Sequence, residues 1–174
     1  MMKTHVSRTV FSGLIIGMAI ILTLRSALAT VAPSGGNTTP PAVASLAPGN
    51  PAVLDAHRRM ALGMIETGNR DDEIGGAGEV SRYQIMPAVW RQYSQSVNYR
   101  NPDVSLAVAQ KYWGRLYTRF VQHAHRQPTD FDMYVLWNTH YGYYARKGFD
   151  PDRLSTAVRD RAQRYANLVQ CNDF

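Results

Sequence analysis

Cysteine is almost absent from this chain: its 174 residues include one, Cys171. A single cysteine excludes an intramolecular disulfide, so the fold must be held together by packing. No cysteine follows the apolar segment near the N-terminus, which argues against a lipoprotein anchor. The composition therefore fits a protein of the bacterial periplasm or cell envelope better than a disulfide-stapled extracellular scaffold.

Metal-binding motifs are also missing, because the sequence has no cysteine pair and no H-E-x-x-H segment. His123 and His125 have the only suggestive histidine spacing, and on a helix two such residues point to different faces. Cys171 has no recognisable catalytic setting, so a thiol nucleophile is not expected. We expect neither a metal nor an organic cofactor.

Only one apolar run is long, at residues 10–24, and it is shorter than the ~20 residues that cross a membrane as a helix. Basic residues precede it, and the small-residue pattern Ala-Leu-Ala at 27–29 follows it. This order predicts a secretory signal over residues 1–29. A retained N-terminal membrane anchor is the alternative, which Arg25 keeps open. The basic residues before the run are Lys3, His5 and Arg8.

Residues 30–50 have few large apolar side chains and are dense in Pro, Gly, Ser, Thr and Ala. Such a composition predicts a flexible linker. The remaining residues, 51–174, are predicted to form one domain.

Acidic residues are the minority, 13 against 19 Lys and Arg, which gives a net charge of +6. Without Lys3, Arg8 and Arg25 of the predicted signal, 16 basic and 13 acidic residues remain, a net charge of +3. This mild excess fits an anionic partner such as a cell-wall glycan or nucleic acid, and equally no such partner. Export argues against nucleic acid. The C-terminal arginines are interpreted as a solvated helix face; they are Arg153, Arg159, Arg161 and Arg164.

The ordered domain is predicted to begin at Asn50-Pro51, a capping residue followed by proline in a first helical turn. That helix runs to Gly68, a natural terminator. A helix that is apolar over much of its circumference is usually central. The apolar face predicted for it comprises Val53, Leu54, His57, Met60, Ala61, Leu62, Met64 and Ile65.

Further helices follow a loop at residues 69–86, and strand-like alternation is almost absent. The signals that start them are Pro87, Asn101-Pro102-Asp103, Thr129 with Asp132, and Asp150-Pro151. Their apolar residues are Val89, Trp90 and Tyr93, then Ala109, Tyr112, Trp113, Leu116 and Phe120, and last Leu154, Val158, Ala162, Tyr165 and Val169. The predicted fold class is mainly α.

Glu66 closes the first apolar helix, where the carboxyl end of the helix dipole disfavours a negative charge. Its neighbours Leu62 and Ile65 offer poor solvation. Both effects raise the pKa of a carboxylic acid. A carboxyl group that keeps its proton near neutral pH suits a general acid that attacks a glycosidic bond.

The surroundings of Glu66 resemble the SLT-type lytic transglycosylase domains of the lysozyme-like superfamily. Their Glu-Ser pair is Glu66-Thr67 here, which keeps a hydroxyl group. Their motif G-x-x-G-L-M-Q-I-x-P is represented by Gly78, Ser81, Arg82, Tyr83, Gln84, Ile85 and Pro87. Their Tyr-Asn-Ala-Gly is represented by Trp137, Asn138, Thr139 and His140, with a glycine delayed to Gly142. Ser81 and His140 thus replace family glycines. The resemblance covers about residues 51–170.

The resemblance implies a lysozyme-like single domain with a glycine-rich loop or short hairpin after the first core helix. It also implies cleavage of peptidoglycan between N-acetylmuramic acid and N-acetylglucosamine, with Glu66 as the catalytic acid and base and a 1,6-anhydro sugar as product. Partners would be glycan strands in the periplasm or envelope, and possible envelope or secretion-system proteins.

Glu79 lies in the loop and is a possible second carboxylate. Glycosidases that use water pair two carboxyl groups across the bond, so Glu66 with Glu79 would make a hydrolysing muramidase. Pairing of Glu79 with Arg82 or another basic residue is the alternative. A glycan-binding domain without turnover is a further interpretation, because the second and third motifs are altered.

The predicted substrate-binding residues are Ser81, Tyr83, Gln84, Asn138 and Tyr141. Ser81 is expected to face the acid, with a role in a turn as the alternative. Gln84 and Asn138 offer amides to hydroxyl and N-acetyl groups, or else tie loop backbone together. Tyr141 offers an aromatic face to a sugar ring. The three tryptophans are expected in the core.

Overall fold

The computed structural model of the protein describes residues 49–171. The predicted signal at 1–29, and the predicted linker up to residue 48, lie outside the described residues. Within them the chain is helical, with two isolated antiparallel bridges and no strand. No helix in this range is both long and apolar enough to span a membrane. The mainly α class is confirmed for this part of the chain.

Six α-helices and one 3₁₀ turn occur in the described range. The helices are α1 (Ala56–Thr67), α2 (Pro87–Trp90), α3 (Pro102–Ala124), α4 (Asp130–Thr139), α5 (Tyr141–Arg146) and α6 (Thr156–Gln170), and the 3₁₀ turn is Pro151–Arg153. The helix α5 was not expected from the sequence.

The helix starts predicted at Pro87, at Asn101-Pro102 and at Thr129 are confirmed. The start predicted at Asp150-Pro151 is wrong for the last helix, because these residues begin only the 3₁₀ turn and α6 begins at Thr156. Pro87 and Pro102 occupy first turns, where a missing N–H has no cost. Asn101 caps α3 through its side chain. Thr129 and Asp132 form a reciprocal capping box at α4, because each side chain accepts from the backbone N–H of the other.

The predicted start of α1 is wrong. Asn50 belongs to a turn, since its carbonyl accepts from the N–H of Val53 at 3.0 Å. The helix begins at Ala56, after Asp55 accepts from the N–H of Arg58. Part of its predicted apolar face is also wrong, because three of those side chains are 39–55% exposed: Val53, Met60 and Met64.

Arg58 is buried, with 1% exposure, although the apolar pattern did not predict it in the interior. Its guanidinium bonds Asp130 at 2.6 Å and Asp55 at 2.5 Å. It also donates to the carbonyls of Gly49 and Asn50, at 2.6 and 3.2 Å. A buried cation with this many acceptors is stable, and here it fixes the N-terminal edge of the domain.

The helix α4 lies at the centre of the domain and packs against α3, α5 and α6, while α1 packs against α6. From Met133 to Leu136 its residues are fully buried. Trp90, Trp113 and Trp137 are in the core as expected, with at most 8% exposure. This arrangement brings the C-terminal ends of α1 and α4 to a common cleft.

Candidate active site

The end of α1 fixes the position of Glu66. Gly68 has the left-handed φ of 67° that glycine adopts without strain. Its N–H donates to the carbonyl of Met64, and that of Asn69 to the carbonyl of Gly63, both at 3.0 Å. The helix therefore stops directly after Glu66-Thr67.

Thr67, the second residue of that pair, connects the following loop to the end of α1. The Thr67 hydroxyl lies 3.0 Å from the carbonyl of Arg82. Beyond it, Val80 and Ile85 exchange two backbone hydrogen bonds of 2.9 Å. The Thr67 hydroxyl thus holds the loop against the helix.

Gly75 allows two polar side chains of the loop to approach each other. A Cβ at this position would lie 2.2 Å from Oε1 of Gln84 and 2.3 Å from Oε2 of Glu79. No neighbouring atom could remain that close, so Gly75 is needed for the placement of both side chains. One glycine of the loop thus has a steric role that concerns the site.

A cleft of about 330 Å³ opens at this point. Four of the residues singled out in the sequence line it together: Glu66, Glu79, Gln84 and Asn138. Gly76, Trp137 and Arg161 complete its lining. The cleft is therefore formed by the end of α1, the loop, the end of α4 and one side of α6.

Glu66 is nearly enclosed in the cleft wall, with a side chain that is 6% exposed. The Tyr134 hydroxyl donates to Oε1 at 2.7 Å, and Nη2 of Arg161 donates to Oε2 at 2.9 Å. Burial raises the pKa of Glu66 above its ordinary value, and the charge of Glu79 adds to the rise. Tyr134 and Arg161 act in the opposite direction without cancelling it.

Tyr134 and Arg161 are the two residues of the site that sequence reasoning missed. Arg161 was assigned to a solvated face, and that interpretation is wrong because its guanidinium pairs with Glu66. A signal existed: Arg161 lies beside Ala162 and four residues before Tyr165, both in the buried stripe of α6. A buried glutamate also requires a partner.

Glu79 does not pair with Arg82. The Arg82 guanidinium bonds Asp71 instead, at 2.6 and 2.5 Å. Glu79 accepts the N–H of Ala77 at 3.0 Å through Oε2 and lines the cleft. Two carboxyl groups therefore share the cleft.

Ser81 and Tyr83 lie outside the residues that line the cleft. Ser81 is 1% exposed, and its hydroxyl oxygen accepts the N–H of Tyr83 at 3.3 Å, which is the role in a turn. The Tyr83 side chain is 3% exposed and belongs to the core. Its carbonyl accepts from the Trp137 indole at 3.1 Å. Both residues support the cleft from behind.

Gln84 combines the two roles proposed for it. Its amide nitrogen donates to the carbonyl of Ser81 at 3.1 Å, and the residue also lines the cleft. Asn138 is exposed at the cleft. Tyr141 lies in a separate groove of about 270 Å³, where the Arg119 guanidinium stacks 4.0 Å above its ring.

Ser81 and His140 have a backbone conformation that favours glycine. Ser81 has a φ of 66°, and His140 has a φ of 67° with a ψ of 153°. Such values cost a residue with a side chain about 1–3 kcal/mol.

Searches of protein-family models, curated proteins and solved structures found no match to this chain. Within residues 49–171, no three His, Cys, Asp or Glu residues are grouped so that they could hold a metal ion. The absence of a cofactor stays a prediction from the sequence.

Proposed function

We propose that the domain cleaves peptidoglycan glycan strands as a lytic transglycosylase. One observation carries the proposal: a nearly enclosed glutamate with a raised pKa faces a polar cleft beside Gln84 and Asn138. Burial favours the protonated carboxyl that a general acid requires. The positive φ of Ser81 and His140 supports the motif assignment, because the resemblance places glycines there.

The reaction needs one carboxyl group in two protonation states. Glu66 first gives its proton to the oxygen that links N-acetylmuramic acid to N-acetylglucosamine, and the bond from that oxygen to C1 breaks. The carboxylate then accepts the proton of the C6 hydroxyl as that oxygen bonds to C1. The product is a 1,6-anhydro end, Glu66 regains its proton, and no water is consumed.

Gln84 and Asn138 are proposed to orient the sugars. Gln84 is held by its bond to the Ser81 carbonyl, which limits the motion of its amide. Asn138 is exposed and follows Trp137, which is anchored to the Tyr83 carbonyl. An amide that is already held in place, as that of Gln84 is, reduces the entropy lost when the reacting geometry forms.

A hydrolysing muramidase is the second candidate, and the observation that favours it is the presence of Glu79 in the same cleft. Glu79 would activate a water molecule that attacks C1 after protonation by Glu66. The two candidates differ in the product by the mass of one water molecule.

Purified domain should be incubated with cell-wall sacculi, and the soluble fragments weighed by mass spectrometry. We expect anhydro ends from the wild type, and from Glu66→Gln a rate lower by about 10²–10⁴-fold. Glu79→Gln serves as the matched control at the other carboxyl group and should retain anhydro products. Reducing ends that disappear in Glu79→Gln would instead establish the muramidase.

Binding to sacculi without any release of fragments by the wild type would contradict both enzyme candidates. It would leave a glycan-binding domain as the function. Full activity of Glu66→Gln would contradict the assignment of the acid.

A further inference from the structure

Three acceptors fix the guanidinium of Arg161. Its Nε donates to the Tyr134 hydroxyl at 2.6 Å, and its Nη2 donates to Oε2 of Glu66 at 2.9 Å. The same Nη2 reaches the carbonyl of Ile65 at 3.3 Å. That carbonyl belongs to the last turn of α1, whose carbonyls lack partners within the helix. Arg161 therefore joins the end of α1 to both members of the site.

Tyr134 transmits the effect of Arg161 to the second carboxyl oxygen. Since its hydroxyl oxygen accepts from Arg161, its single proton is directed to Oε1 of Glu66, 2.7 Å away. Each oxygen of Glu66 thus receives one donor from a ring of three side chains. This ring favours the carboxylate, whereas burial favours the protonated acid.

We propose that Arg161 is a positioning residue that sets the charge state of Glu66, both directly and through Tyr134. The inference rests on the proposed function, which requires the same carboxyl group first with and then without its proton. Burial supplies the first state. Arg161 stabilises the second, in which Glu66 must accept the C6 hydroxyl proton.

The charged and titratable groups that face Glu66 come from three elements. The loop contributes Glu79, α4 contributes Tyr134 and α6 contributes Arg161. Glu79 disfavours the carboxylate, and Tyr134 donates without a charge. Arg161 is thus the only cation among them, and its loss cannot be replaced by a neighbour in the described part of the chain.

The test compares Arg161→Gln with Arg164→Gln. Arg164 is exposed on the same helix, so its variant makes the same change of charge away from the cleft. The pKa of Glu66 should be measured by carboxyl carbon NMR, and kcat should be measured across pH on sacculi. For Arg161→Gln we expect a higher pKa of Glu66, an alkaline limb moved to higher pH, and kcat lower by about tenfold. Arg164→Gln should match the wild type.

Tyr134→Phe gives a second measurement if Arg161→Gln does not fold. It keeps the ion pair but removes the donor to Oε1, so a higher pKa of Glu66 is again expected. An unchanged Glu66 titration in the folded Arg161 or Tyr134 variant would overturn the proposal. So would a changed titration with an unchanged pH profile of kcat.

The NMR titration separates this inference from the proposed function. If the wild type releases no glycan fragments, the enzyme proposal fails and so does any catalytic role of Arg161. The titration then still shows whether Arg161 sets the charge of Glu66. If the wild type is active and the titration of Glu66 does not change in Arg161→Gln, only the Arg161 proposal fails.

Discussion

Two carboxylates of this domain are each bound by one tyrosine hydroxyl and one arginine. In the cleft, Glu66 receives Tyr134 at 2.7 Å and Arg161 at 2.9 Å. At the other end of α4, Asp132 receives the Tyr144 hydroxyl at 2.7 Å. Arg126 binds Asp132 in a bidentate manner at 2.7 and 2.9 Å. Both side chains are nearly buried, yet their pKa values move in opposite directions.

The position in the helix and the number of donors explain the difference. Asp132 lies in the first turn of α4, where the dipole favours an anion, and it also accepts from the N–H and hydroxyl of Thr129, both at 2.8 Å. Burial opposes its charge, but the bonds from Arg126, Thr129 and Tyr144 outweigh burial and lower the pKa of Asp132. Glu66 lies in a last turn with only two side-chain donors, so burial prevails and raises its pKa.

The same combination of a carboxylate, a tyrosine and an arginine thus gives a carboxyl group of lowered pKa at one end of α4 and one of raised pKa at the other. Asp132 is satisfied in its charged form and stabilises the fold. Glu66 is held in an environment that its charged form finds poor, which lowers stability and suits acid chemistry.

Asp132→Asn should have the largest effect on stability. The substitution removes the charge that pairs with Arg126 and turns one of the two oxygens that accept from Arg126, Thr129 and Tyr144 into an amide donor, at a cost of about 3 kcal/mol. The measurement is urea unfolding of the described domain at neutral pH. Asp152→Asn is the matched control, since that side chain is 93% exposed and 4.0 Å from Arg159, and no measurable change is expected there.

The stability lost in Asp132→Asn should depend on pH. The folded pKa of Asp132 lies below its unfolded value of about 3.9, so its contribution is complete above that pH. It is lost as pH falls through the folded pKa. The difference between wild type and Asp132→Asn should therefore shrink below about pH 4, and a constant difference would contradict the assignment.

Glu66→Gln should change stability in the opposite direction. The folded pKa of Glu66 lies above its unfolded value of about 4.3, so the folded state binds more protons between those two values and stability falls as pH rises through them. Glutamine removes that dependence and still accepts from Tyr134. We expect the variant to be more stable than the wild type by about 1 kcal/mol above this range. Equal stability of Glu66→Gln and the wild type at every pH would show that the cleft does not disfavour the charged form of Glu66.

Local signals in the sequence predicted much of this arrangement. Asn101 and Thr129 cap backbone N–H groups that lie at most three residues further along the chain, so the local sequence is enough to predict both caps. The end of α1 at Gly68 is equally local. Together with the motif order, these signals placed Glu66, Gln84 and Asn138 in one cleft, as the structure has them.

Partners that are distant in sequence could not be predicted in this way. Arg58 reads as a polar interruption of an apolar face until Asp130 is brought against it by folding. Arg161 reads as solvated until α6 packs on α1 and carries it to Glu66. A long polar side chain at the edge of a buried stripe can point to solvent or to the interior. Only tertiary packing determines which of the two it does.

Backbone strain at His140, two residues after Asn138 of the cleft, gives the smallest expected effect. His140 has a φ of 67° and a ψ of 153°, values that only glycine adopts easily, and it links Asn138 to α5. His140→Gly should stabilise the domain by roughly 0.5–1 kcal/mol, after subtracting the loss of its bond from the Tyr143 N–H. His125→Gly is the matched control beside Arg126, because it also has a positive φ, of 54°.

Both glycine variants should gain stability in thermal unfolding, since each relieves a left-handed residue. Only His140→Gly should raise KM for the proposed glycan substrate, because Asn138 of the cleft then has a less rigid segment beside it in the chain. His125→Gly should leave KM unchanged, since it adjoins the anchor at Asp132 and not the acid. An equal change of KM in the two variants would show that strain at His140 does not help to hold the Asn138 amide. The contrast between the two ends of α4 would then rest on Glu66 and Asp132 alone.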